Sequence, residues 1–359
     1  MRERTWPDRS DGSHFTALPL DNMKEKKENE KPQLGLSSKR DSSKFPRKAA
    51  RFCSRLLSSS SSSSPSPSPL PPDHHDFSTL PYDVLTRIAA SLNHPSLQAA
   101  SLVCKSWKDA LRPLREAMLF LRLGKGFKHG RGGVRPNLNK ALECFLKGAA
   151  LGSSLAMVDA GLVYWEMGKK EEGIALYRKA AEIGDRAGQC NLGISYLQVK
   201  PPQAKEAIKW LYEASVAGHV RAQYQLALCL HQGCGVDPNL AAAARWYLKA
   251  AKGGYVRAMY NTALCYSSGE GLVRSHRRAR KWMKRAADHG HSKAQFEHGL
   301  SLFLGKEMVK ALVYLELATR AGETAATHVS YVILQELPAF LIDRAMFLAD
   351  KWRALPSSR

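Results

Sequence analysis

The side chains best placed to do chemistry in this 359-residue chain are a regularly spaced row of polar groups, Asp159, Asn191, Gln225, Asn261 and Glu297. Carboxylates and carboxamides recurring in this way offer hydrogen-bond donors and acceptors to a bound polypeptide, or else tie neighbouring structural units to one another. They do not form a catalytic set. The histidines are scattered, and the chain has no G-x-S-x-G, Walker loop, paired-carboxylate motif or His-x-x-x-His pair. No intrinsic enzyme activity, catalytic residue or cofactor is therefore expected. Cys144, Cys190, Cys229 and Cys265 fall at small or apolar positions of a repeat, and Cys229 and Cys234 are poorly spaced as ligands, so neither a disulfide framework nor a metal is expected.

What positions the polar row is a repeat. Each member stands seven residues after a glycine, and those glycines (Gly152, Gly184, Gly218, Gly254, Gly290 and, past the row, Gly322) follow one another at 32, 34, 36, 36 and 32 residues. A period in that range marks a solenoid, in which each unit buries its apolar face only against its neighbours. Four residues past each glycine stand Ala156, Gly188, Ala222, Ala258, Ala294 and Ala326, and nine past it stand Gly161, Gly193, Ala227, Ala263, Gly299 and Tyr331. Small residues so spaced let two helices approach closely. The second half of each unit carries a small residue eleven before the next glycine, and eight before it Cys144, Leu176, Trp210, Trp246, Trp282 and Tyr314. That half ends in Lys-Ala-Ala or a variant, with the glycine as the left-handed stop of a helix. Each unit thus reads as helix-turn-helix. The bulky row is expected in the core, where Trp246→Ala costs about 3 to 5 kcal/mol.

The chain around this array divides by composition. Residues 1–76 combine scattered charges, the serine run Ser58 to Ser64 and a Pro-rich stretch ending at Pro72, a mixture too poor in apolar surface to fold, and a disordered tail is expected. Ser64, Ser66 and Ser68 precede prolines and suit a proline-directed kinase, and Lys44, Arg47, Lys48 and Arg51 are a candidate nuclear-import patch. From Phe77 to about residue 116 apolar residues recur at helical spacing: Leu80, Val84, Leu85, Ile88 and Leu92, then Leu97, Leu102, Val103 and Trp107. Pro81 suits a first helical turn. Residues 117–337 hold the repeats, about six helix pairs and a half, and residues 338–359 read as a capping helix and tail. The chain carries 54 Lys and Arg against 32 Asp and Glu, most of the excess after residue 76, which favours acidic partners. Arg274, Arg277, Arg278, Arg280, Lys281, Lys284 and Arg285 crowd one second helix, facing either solvent or an acidic partner. No run reaches the roughly 20 apolar residues of a membrane span, so a soluble intracellular protein, cytoplasmic and/or nuclear, is expected, with no membrane partner and with a protein rather than nucleic acid as its partner.

Two family resemblances follow from these residues. Leu80-Pro81-x-Asp83 with Ile88, Leu92 and Leu102-Val103-Cys104-Lys105-x-Trp107 resembles the F-box, which docks on the Skp-type adaptor of cullin-based ubiquitin ligases. The resemblance implies a three-helix unit in which Leu80, Pro81, Val84, Ile88 and Leu92 meet the adaptor while Trp107 packs inside. The repeat, A-x-x-W-Y-x-K-A-A-x-x-G-x-x-x-A-x-Y-x-L, resembles the Sel-one-like repeat (SLR), a relative of the tetratricopeptide repeat. F-box before SLR, behind a Ser-rich leader, is most similar to plant F-box proteins. Together they imply an all-α chain, a three-helix F-box followed by a right-handed α-solenoid of SLR/TPR-like repeats. The implied function is that of a substrate-receptor subunit of a Skp-cullin-F-box ligase, with a protein substrate on the concave face where first helices lie. The competing expectation is a scaffold whose N-terminal helical unit only caps the solenoid. His219, Tyr255 and His291, one residue past their glycines, with Arg221, Arg257 and Lys293 two further on, are added candidates for the groove or its rim.

Overall fold

A computed structural model of the chain describes residues 94–355 and, ahead of them, Val84. The described residues are helical and contain no strand. The expectations for the tail of residues 1–76 and for Leu80, Pro81, Ile88 and Leu92 lie outside them, as do residues 356–359.

Three helices come first: α1 (His94–Ala100), α2 (Lys105–Ala110) and α3 (Arg112–His129). Leu97 and Leu111 are fully buried among Ala100, Trp107, Leu114 and Met118, so Trp107 does pack this small unit. One expectation changes. The second apolar run does not continue as one amphipathic helix: α1 stops at Ala100, and the turn that follows leaves Leu102 81% and Val103 65% exposed. Helix α3, entered through Pro113, runs without a break across residues 116 and 117 and also serves as the first helix of the first repeat.

Thirteen helices of thirteen residues follow. Second helices are α4 (Leu138–Ala150), α6 (Lys170–Glu182), α8 (Ala204–Val216), α10 (Leu240–Lys252), α12 (His276–Asp288) and α14 (Met308–Arg320). First helices are α5 (Ser154–Glu166), α7 (Arg186–Gln198), α9 (Val220–Gln232), α11 (Val256–Ser268), α13 (Ser292–Leu304) and α15 (Thr324–Glu336). Each packs on the next. Within the repeats, the closer approaches between alternate helices join first helices: α3 to α5, α5 to α7, α7 to α9 and α13 to α15. First helices therefore line the inner curve of the stack, and second helices are spread along the outer one.

The glycines behave as their positions require. All six repeat glycines sit at φ between 83° and 91°, the left-handed conformation that ends each second helix. In five of the six repeats the core contact is a large side chain seven before the glycine, lodged where it can against a small residue nine past the preceding one; in the other, Met283 holds that place half-buried and Trp282 beside it is buried. A Cβ on Gly161 would lie 2.5 Å from Tyr177, one on Gly193 2.7 Å from Leu211 and one on Gly299 2.9 Å from Leu315. Phe145, Tyr177, Leu211, Tyr247 and Leu315 are accordingly buried.

Most of the row eight before the glycine lies outside this core: Trp282 is buried in it, whereas Cys144, Leu176, Trp210, Trp246 and Tyr314 are half-buried. Trp246 is half-buried, edge-on to Tyr212 of the previous second helix and covered by Lys249 4.7 Å from its ring. One residue is 100° of helix, enough to move the row from the centre of the pair to the outer seam between pairs. The cost of Trp246→Ala is accordingly revised below the range for a fully buried ring.

The last helix, α16 (Ala339–Lys351), folds back onto α14, burying Ala345 beside Leu312 and Leu315. Arg320 pairs with Asp350 at 2.7 Å, the Leu355 N–H donates to the Asp288 carbonyl at 2.9 Å, and Trp352 packs beside Gly290. These contacts close that end of the apolar stack.

Candidate functional site

The polar row lies on the inner helices, largely covered by the chain itself. Asp159, Asn191, Gln225 and Asn261 are buried, and Glu297 is exposed. Asp159 of α5 faces Lys125 of α3 at 3.4 Å, and burial pushes its carboxyl up to about 6 against the opposing pull of Lys125. Asn261 reaches the Tyr247 hydroxyl, and burial holds that phenol above its ordinary range, so it stays protonated. Gln225 leaves its Nε2 donor without a hydrogen-bond partner among the described residues. Three members of the row therefore have defined surroundings: an ion pair, a hydroxyl bond and an unused donor.

One member opens on a cavity. Asn261 and Tyr247 line a pocket of about 220 Å³ between α9 and α11, walled by Leu228 and Leu264 and edged by His231, Gln232 and Glu270. The pocket sits near the C-terminal ends of both helices, where the last carbonyls carry partial negative charge. Its apolar walls and polar rim can take one side chain of a peptide laid along the inner curve.

The residues proposed for the rim have structural duties. His219 and His291 cap α9 and α13: their Nδ1 atoms accept from the N–H of Ala222 and of Ala294, each at 3.2 Å. Burial lowers both imidazoles to about 4, helped by Arg221 and by Arg257 respectively, so both are neutral acceptors. Arg221, Arg257 and Tyr255 are buried rather than at the rim.

Several contacts between repeats were not read from the sequence. Tyr224 packs at a tilt of 42° against Tyr255 of the next repeat with centroids 4.8 Å apart, and Tyr260 stacks on His291 at 4.6 Å. Gln223 and Gln295 donate to the carbonyls of Ser215 and Ala287, at 3.1 and 3.3 Å, sealing the end of the preceding second helix. The signal was present, since glutamine recurs five residues past three of the glycines, at Gln189, Gln223 and Gln295. The adaptor candidates Leu80, Pro81, Ile88 and Leu92 lie outside the described residues, and Val84 is a half-buried helical residue. In the described part of the same unit the exposed apolar pair is Leu102 and Val103.

A small helical unit fused by one helix to a stack of helix pairs defines a class of binding protein, and comparison with known families gives that class its name. Residues 77–116 match the F-box domain, and residues 121–153, 167–185, 186–219, 220–255, 256–291 and 292–323 match the Sel1 repeat. The chain belongs to the F-box proteins that carry Sel1 repeats. It is 59% identical over 365 residues to F-box protein At1g70590 of Arabidopsis thaliana, with both chains covered completely. Among solved structures, a Sel1 repeat protein of Oxalobacter formigenes is 27% identical with a TM-score of 0.51, over 63% of this chain and 94% of that one. A protective antigen of uropathogenic Escherichia coli displaying an SLR fold superposes with a TM-score of 0.59 at 22% identity, over 77% of this chain and 64% of that one, a likeness of fold alone. F-box domains generally bind Skp-type adaptors, Sel1 repeats bind proteins, and the combination is typical of non-catalytic adaptors. No described helix is long and apolar enough to cross a membrane.

Proposed function

We propose that this chain is the substrate-receptor subunit of a Skp-cullin-F-box ubiquitin ligase. On this reading residues 77–116 hold the Skp-type adaptor through Leu80, Pro81, Val84, Ile88 and Leu92, joined by the exposed Leu102 and Val103. The Sel1 solenoid of residues 117–337 presents a protein substrate along its inner curve, using Asp159, Asn191, Gln225, Asn261 and Glu297, with the pocket at Asn261 taking one substrate side chain. Helix α16 and residues 352–355 close the stack.

The observation that carries the reading is α3. One continuous helix serves both the F-box and the first repeat, so a substrate on the solenoid is held at a fixed position relative to the adaptor. The subunit does no chemistry itself. It converts the meeting of a substrate lysine with the conjugating enzyme into a step inside one assembly, a gain of effective concentration. Proximity labelling with the intact protein and with a form lacking residues 77–93, under proteasome inhibition, tests it. Proteins labelled by both forms and stabilised in cells only by the truncated one are the substrates. If both forms label the same proteins and neither alters their turnover, the chain is a scaffold and the reading fails.

A further inference from the structure

The outer helices carry a local departure from the array that the groove does not explain. In three of the six second helices charge is mixed and paired on the surface: Glu143 with Lys147 on α4, Glu206 with Lys209 on α8, and Glu316 with Arg320 on α14. These show what a merely solvated outer face looks like in this fold. Helix α10 instead has Arg245, Lys249 and Lys252 and no acid, and α12 has six Lys and Arg against one acid, Asp288.

Lys284 takes that acid at 2.7 Å. Arg277, Arg280 and Lys281 are exposed and make no ion pair or hydrogen bond among the described residues. Arg277, Lys281 and Arg285 follow one another at four-residue steps, an arrangement in which like charges destabilise a helix. Two cations are also held in place: Lys249 lies 4.7 Å from the Trp246 ring, and Arg285, at the equivalent position of the next repeat, 5.0 Å from the Trp282 ring. Fixing a long side chain beforehand lowers the entropy lost when it meets a partner.

We propose that the outer face of α10 and α12 is a docking surface for an acidic segment of a protein partner. A row of cations about 6 Å apart matches the carboxylates of an extended chain with acid at every second residue, spaced about 6.6 Å. Nucleic acid fits less well: single strands bind by stacking bases on open aromatic faces, and both tryptophans of this patch lie under their own cations. The surface is on the second helices, away from the Asn261 pocket, and the proposal stands whether or not the F-box engages an adaptor.

The test is fluorescence anisotropy on the full chain at about 0.15 M ionic strength. The probes are a labelled peptide of alternating Glu and Ser and a labelled DNA duplex. The expected result is peptide binding that weakens about tenfold in the triple variant Arg277→Gln, Arg280→Gln, Lys281→Gln, holds in the control Lys205→Gln, Lys209→Gln on α8, and exceeds binding to the duplex. Relief of repulsion leaves the triple variant at least as thermally stable as the wild type. Should it fail to fold, Lys281→Gln alone carries the test with a loss of about twofold. Equal peptide binding by wild type and variant, or tighter binding to the duplex than to the peptide, overturns the proposal.

Discussion

His219 and His291 take the place that Ser153 and Asp185 hold in other repeats, as acceptors for the first free N–H groups of a helix. Imidazole can accept there only while neutral, and burial and neighbouring arginines keep it so, with folded pKa values near 4 against an ordinary 6.5. A pKa lowered by folding contributes stability that is complete above 6.5 and is lost as the pH falls from 6.5 toward 4. Replacing both caps by serine should therefore flatten this part of the melting-temperature profile; parallel profiles for wild type and variant would show the caps do not titrate. Asp159 has the opposite sign. Its pKa is raised to about 6, so burying it ionised costs stability above pH 6 that is not lost below about 4. At about 1.4 kcal/mol per unit, with the pull of Lys125 already contained in the pKa of about 6, Asp159→Asn gains up to about 3 kcal/mol at pH 8. The gain should vanish at pH 4, as denaturation of the two proteins side by side would reveal.

At the scale of the helix pair, stability rests on a large residue seated against a small one. Leu211→Ala should cost about 2 to 5 kcal/mol and more than its half-buried neighbour Trp210→Ala, while Gly193→Ala should cost about 1 to 3 kcal/mol because its new methyl meets Leu211. Urea denaturation ranks these variants, and a larger cost at Trp210 would return the core to the tryptophan row. The helices themselves were legible in the sequence, because the glycines fix the period and one residue type ends every second helix. Depth was not. Positions eight and seven before the glycine are both bulky, and one turn of helix cannot tell from composition alone which points between helices and which toward the seam. The polar row was legible as a row, but its burial depends on how closely successive first helices approach, a property of the stack. Leu102 and Val103 continue the apolar helical spacing in the sequence, yet α1 ends before they are reached and the turn leaves them exposed.

Over the whole molecule, one end closes and the other is shared. Helix α16 and residues 352–355 cover the last repeat, whereas α3 belongs to the F-box and the first repeat at once. A change that unfolds the first repeat should therefore weaken adaptor binding too, although it touches no adaptor contact. Gly148→Leu is such a change: even a Cβ would stand 2.9 Å from Ala156 and 3.3 Å from the Ala117 carbonyl, inside the joint between α3, α4 and α5. The outer cations of α10 and α12 are far along the chain from this joint, and their removal should leave it intact. Adaptor engagement is decided by co-purifying the full chain with a Skp-type adaptor. A complex is expected at micromolar concentration, and it is expected to be lost when Leu80→Ala is combined with Pro81→Ala. No complex, or one that the double variant leaves untouched, would contradict the proposed engagement.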